Sequence, residues 1–178
     1  MNGYKILENN LIDIIKEEQA KLGYRKEKIR LYSPLSSLNN MFSCNDNVCE
    51  MANRLKKLSQ YTYKTLGEII VSNKDERFCF YISEKGAEYV HNNTKEDEFI
   101  KRLIELLRNH QTKMQDIENL FIKKSSKVHI EKMKDNEFDT LIYFEDDKED
   151  KYYYCFKDEG FHIIYHRFLP DDYKDMYQ

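Results

Sequence analysis

The sequence predicts an α+β protein on three observations. A helical apolar repeat crosses the first 22 residues, two apolar runs flank a polar break near residue 75, and strand-like segments with short polar links close the chain.

The first helix rests on Leu7, Leu11, Ile14, Ile15 and Leu22, with Gly23 as its C-terminal stop. A basic stretch, Tyr24 to Arg30, leads into Ile29-Arg30-Leu31-Tyr32, whose alternation predicts a short strand. Ser33-Pro34 reads as an N-cap followed by proline at the first helical position, starting a helix through Phe42. Asn45 or Asp46 is expected to cap a third helix with the apolar face Val48, Met51, Ala52, Leu55 and Leu58. Leu66 to Val71 and Phe78 to Ile82 read as a hairpin with Ser72 to Arg77 as its tip, and Ser83 as the cap of a helix from Glu84 to His91.

Thr94 is expected to open a helix carrying Phe99, Ile100, Leu103, Ile104, Leu106 and Leu107, an apolar surface broad enough to predict burial between layers. Thr112 with Gln115 has the capping-box pattern ahead of Met114, Ile117, Leu120 and Phe121. Strands are then expected near 127–132, 140–145, 151–157 and 160–168, in an antiparallel meander. The organisation expected is a first part, residues 1–93, packed with a second, residues 94–178.

Composition narrows the function classes. The net charge of −3 argues against attraction of nucleic acid by the whole chain. The charge is uneven, however: residues 1–93 hold 14 basic against 12 acidic side chains, and residues 94–178 hold 15 against 20. Any surface for a polyanion is therefore expected in the first half. Cys44, Cys49, Cys79 and Cys155 lack the close pairing of a zinc site, and Cys79 and Cys155 read as reduced, packed thiols. No signal segment or membrane-length apolar run is read in the sequence, so a cytoplasmic protein without a membrane role is expected.

The order helix, strand, helix, helix, strand, loop, strand, helix through residue 93 resembles a winged-helix domain. Arg77-Phe78-Cys79-Phe80-Tyr81-Ile82-Ser83-Glu84-Lys85-Gly86 is similar to the last wing strand and following helix of bacterial winged-helix regulators. That resemblance implies a recognition helix from Asp46 to Ser59, presenting Glu50, Asn53, Arg54, Lys57 and Tyr61 opposite its apolar face. It also implies a wing tip carrying Lys74 and Arg77 against Asp75 and Glu76. The whole chain further resembles an uncharacterised bacterial domain-of-unknown-function family, through Tyr32-Ser33-Pro34-Leu35-Ser36-Ser37-Leu38-Asn39, Arg77 to Val90, and Tyr165-His166-Arg167-Phe168.

Two functions from different classes follow. The first is a regulatory or interaction module with a protein partner, or weak nucleic-acid binding through Asn53, Arg54, Lys57, Lys74 and Arg77. The second is a small-ligand or enzymatic pocket in the C-terminal sheet, built on Tyr154, His162, His166 and Arg167. His162 and His166 are not expected to share a metal, because four strand residues span about 13 Å. The acidic run Glu145-Asp146-Asp147-Lys148-Glu149-Asp150 lacks the ligand register of a calcium loop and reads as a solvated turn. No phosphate loop or nucleophile motif is present, so no cofactor is expected, and oligomeric state is not legible.

Overall fold

The computed structural model describes residues 2–95, 97–134, 137–146 and 150–177, and divides into two units, Met1–Asp97 and Glu98–Gln178. Both units combine helices with an antiparallel sheet, giving an α+β chain.

In the first unit, α1 (Gly3–Leu22) is capped by the Asn2 side chain, which accepts from the Tyr4 amide. It stops at Gly23, whose φ of +77° suits a residue without a Cβ. Leu7, Leu11 and Ile15 are buried along one face. The chain continues through β1 (Ile29–Pro34), α2 (Leu35–Phe42), α3 (Val48–Leu55), α4 (Leu58–Thr62), β2 (Ile69–Lys74), β3 (Arg77–Ile82) and α5 (Glu84–Asn93). The sheet order is β1-β3-β2, with β3 antiparallel to both neighbours. Strand alternation buries Phe78, Phe80 and Ile82 of β3 beside Leu31 and Ile69.

Several boundaries differ from the sequence expectations. Pro34 ends β1, opposite Arg77, and the Leu35 amide donates to the Glu76 carbonyl. A missing N–H is tolerated there because β1 is an edge strand. The third helix is capped by Asn47, in a reciprocal box with Glu50, because the Asp46 carboxylate is taken by Arg54. That helix ends at Leu55: Lys57 N donates to Arg54 O and Gln60 N to Lys57 O, i→i+3 bonds that tighten the turn before α4. The hairpin tip is only Asp75-Glu76, since Lys74 and Arg77 still pair across the ladder, and Asp75 takes φ +53° to close it. Thr94 ends α5, its hydroxyl donating to the Val90 carbonyl, rather than opening the next helix.

The second unit contains α6 (Glu98–Arg108), α7 (Met114–Lys124), β4 (Val128–Lys132), β5 (Thr140–Phe144), β6 (Tyr153–Asp158), β7 (Ile163–Phe168) and α8 (Pro170–Tyr177). Its strands form the expected meander, β4-β5-β6-β7. Lys113 rather than Thr112 precedes α7, and its amide donates to Asp116; the Thr112 hydroxyl donates to Leu106 O. On one face Phe121 sits fully buried among the rings of Phe99, Phe144, Tyr154 and Phe156, mostly edge to face. On the other, Phe138, Leu141 and Cys155 meet Tyr173 of α8. Sequence reasoning missed α8, although Pro170 at its first position and Tyr173 and Tyr177 four apart mark it. Among the described residues no helix is long and apolar enough to cross a membrane.

The glycine of the Ser-Glu-Lys-Gly turn has a packing role. A Cβ on Gly86 would lie 2.7 Å from the Leu66 carbonyl oxygen and 2.6 Å from Ile82 Cγ2. Alanine gains about 1 kcal/mol in helix propensity, whereas overpacking costs about 1–3 kcal/mol. Because one neighbour is backbone, the clash should win. Gly86→Ala is expected to lower the denaturant midpoint, and an unchanged or raised midpoint would refute this close approach.

Candidate nucleic-acid interface

The helix expected to read nucleic acid is largely committed to its own fold. Arg54 donates from Nε and Nη2 to the two carboxylate oxygens of Asp46, at 2.7 and 3.0 Å. The same loop is held by Asn39, which accepts from the Asp46 amide and donates to its carbonyl. The Arg54 guanidinium also lies 5.5 Å from the Phe42 ring centre, and its carbonyl accepts from the Tyr4 hydroxyl. Arg54 thus braces α3 against the preceding loop. Asn53 is exposed but accepts from Lys56 Nζ, and Glu50 belongs to the cap. Lys57 is exposed on the turn into α4, outside the helix that holds Asn53 and Arg54.

Positive charge is better presented on the outer face of the first sheet. Its ladder aligns Arg30 with Tyr81 and Ile70, Tyr32 with Cys79 and Ser72, and Pro34 with Arg77 and Lys74. Burial of the alternate residues puts these nine on the outer face, where Cys79 is itself buried, and none is acidic. Tyr32 and Ile70 are 50% and 64% exposed, and Tyr81 is 37% exposed. Arg77 lies over the Tyr32 ring at 4.7 Å and Arg30 over Tyr81 at 5.4 Å. A hydrogen bond with the Cys79 thiol, on the neighbouring strand, is the leading cause pushing the Tyr32 phenol above its ordinary pKa. Sequence reasoning found Lys74 and Arg77 but missed Arg30, Tyr32 and Tyr81. Alternation in each strand hinted at the last three, but only the ladder register brings them together.

The alternative set in the second sheet is divided by the pleat. Tyr154 and Arg167 are partners across β6 and β7 on the helix-covered face. The Tyr154 hydroxyl donates to Asp150 at 2.6 Å, and the Arg167 guanidinium lies 4.0 Å from the Tyr152 ring centre. Burial, then the Asp150 charge, pushes the Tyr154 phenol well above its usual range; burial also raises the Asp150 carboxyl. His166 is exposed on the opposite face, 5.5 Å from the Phe138 ring, and His162 precedes β7, 3.0 Å from Glu159. Of the acidic run, Asp147, Lys148 and Glu149 lie outside the described residues. Cys155 is buried, which pushes its thiol up to about 12 and leaves it protonated.

A cavity of about 430 Å³ opens between the outer face of this sheet and α8. Tyr143, Tyr153, Tyr173 and Tyr177 line it, with Lys132 and Lys174 among its charged neighbours. Tyr143 and Tyr153 stack at 4.3 Å, and Tyr173 lies 5.4 Å from Tyr153. None of these positions was singled out from sequence as a ligand site, because without α8 the face has no cover.

The Arg54 brace carries a pH signature. Its hydrogen bonds hold the Asp46 carboxyl below its usual value, so the stabilisation is present above the unfolded-state value, about 3.9, and is lost as pH falls through the lower folded value. Asp46→Asn is therefore expected to be less stable than the parent at neutral pH, with the gap closing in acid. Denaturant midpoints across pH measure it, and a gap independent of pH would refute the charge pairing.

The family model described as "Domain of unknown function, E. rectale Gene description (DUF3877)" matches residues 4–177. No curated protein and no solved structure matches the chain. With nearly its whole length covered by that model, the chain belongs to the DUF3877 family.

Proposed function

We propose that this protein is a regulatory or interaction module whose N-terminal unit makes weak, sequence-tolerant contact with nucleic acid. The observation carrying the reading is the acid-free sheet face, where Arg30, Lys74 and Arg77 have no carboxylate ion pair among the described residues. Lys74 and Arg77 are the principal phosphate contacts, facing each other across the last rung of the hairpin. Lys57, exposed on the turn into α4, adds positive charge to the same unit, whereas Arg54 serves as a brace. The element order and the β1-β3-β2 sheet support a winged-helix-like unit, although its short third helix offers little for reading bases.

Two cations contacting two phosphates give a log affinity against log salt slope of about −1.4 to −1.8. Lys74→Glu with Arg77→Glu is expected to weaken binding at least about tenfold at low salt and to remove most of that slope. Both side chains are exposed, so stability should change little. Fluorescence anisotropy with labelled nucleic acid at two salt concentrations tests this. Binding indifferent to the charge reversals would defeat the assignment.

A second reading, a small-ligand site in the second unit, is favoured by the tyrosine-lined cavity beneath α8. It moves the site away from Tyr154, His162, His166 and Arg167 to Tyr143, Tyr153, Tyr173 and Tyr177. Native mass spectrometry of the full chain should then detect a retained small molecule that Tyr173→Ala releases. A parent chain carrying no added mass would count against this reading.

A further inference from the structure

We infer that the outer face of the β1-β3-β2 sheet is a stacking platform for single-stranded nucleic acid, with Tyr32 and Tyr81 taking the bases and Arg30, Lys74 and Arg77 the phosphates. The inference rests on the nucleic-acid reading above and names the form of nucleic acid it takes.

The geometry favours a single strand. Tyr32 lies opposite Cys79, and Tyr81 follows two residues later on that same strand, so the two rings are diagonal neighbours. Such positions are about 7–8 Å apart, which lets nearby bases of one strand each find a ring. Ile70, 64% exposed in the same rung as Arg30 and Tyr81, extends the apolar ground beside the second ring.

Charge complementarity selects an anionic partner. The face has three cations and no acid, and β1 continues back into Arg25, Lys26 and Lys28, all exposed, with Glu27 the one acid between them. Both arginines lie over the tyrosine rings, so a base stacking there takes the place of a guanidinium, which turns to the adjoining phosphate. A duplex hides its base faces inside its own stack and is read instead through its grooves. The element suited to a groove is α3, and its polar side chains are already engaged: Arg54 with Asp46, Asn53 with Lys56 and Glu50 in the cap.

The test uses the full chain and a short labelled oligothymidylate, with the matched thymidine–adenosine duplex as competitor. The single strand is expected to bind more tightly than the duplex by about tenfold or more. Tyr32→Ala and Tyr81→Ala should each weaken it by about fivefold to a hundredfold, while Tyr81→Phe, which keeps a ring, retains binding. Circular dichroism checks that each variant is folded. Duplex binding as tight as single-strand binding, with the alanine variants unaffected, would overturn the platform while leaving the Lys74/Arg77 reading intact. Absence of either form at low salt would overturn both. Self-association of the parent that Tyr32→Ala abolishes, without nucleic-acid binding, would instead assign the face to a second copy of the chain.

Discussion

Burial of Phe78, Phe80 and Ile82 along one side of β3 is the constraint from which the first unit's surface follows. A strand has a side-chain period of two, so seating those three in the core turns Arg77, Cys79 and Tyr81 to the other side. The flanking strands obey the same rule through Leu31 and Ile69. A slip of one residue would put the phenylalanines in water and the arginine in the core, so register and surface chemistry are set together. Gly86 closes the arrangement by letting the start of α5 approach the Leu66 backbone.

The second unit solves a different problem, because apolar and aromatic side chains leave its sheet in both directions. Phe144, Tyr154 and Phe156 meet α6 and α7 around Phe121, while Leu141, Tyr153 and Cys155 need a cover on the far side. The short α8 provides it through Tyr173 and Tyr177. A cavity remains beside α8, walled by four tyrosine rings together with Leu141 and Met133.

The elements legible in sequence were those with a strong local period: α1 with its Gly23 stop, the β2–β3 hairpin and the four-strand meander. Misplaced features depended on competition between neighbouring polar groups. Asp46 looks like a cap until Arg54 takes its carboxylate and Asn47 inherits the role. Ser33-Pro34 looks like a helix start until β1 pairs as far as Arg77. For the site, Lys74 and Arg77 were visible as charges beside a turn. Arg30, Tyr32 and Tyr81 come from strands nearly fifty residues apart in sequence, and no local pattern announces that β1 pairs with β3. His162 and His166, conspicuous in the sequence, lie at the start of β7 and on its α8 side.

Pro34 at the end of β1 has a bearing on the kind of recognition open to this face. β1 and β2 are the outer strands of the three-stranded sheet, and an edge strand is where an extended peptide can add main-chain hydrogen bonds, although the Ser59 hydroxyl already takes the Ile69 N–H and C=O of β2. On β1 that edge is interrupted by a residue with no N–H, and on β2 it ends in Lys74 beside the hairpin tip. Edge protection of this kind disfavours lengthening of the sheet by another backbone. What remains open is the flat of the sheet, which presents ring area and positive charge rather than main-chain hydrogen-bonding groups.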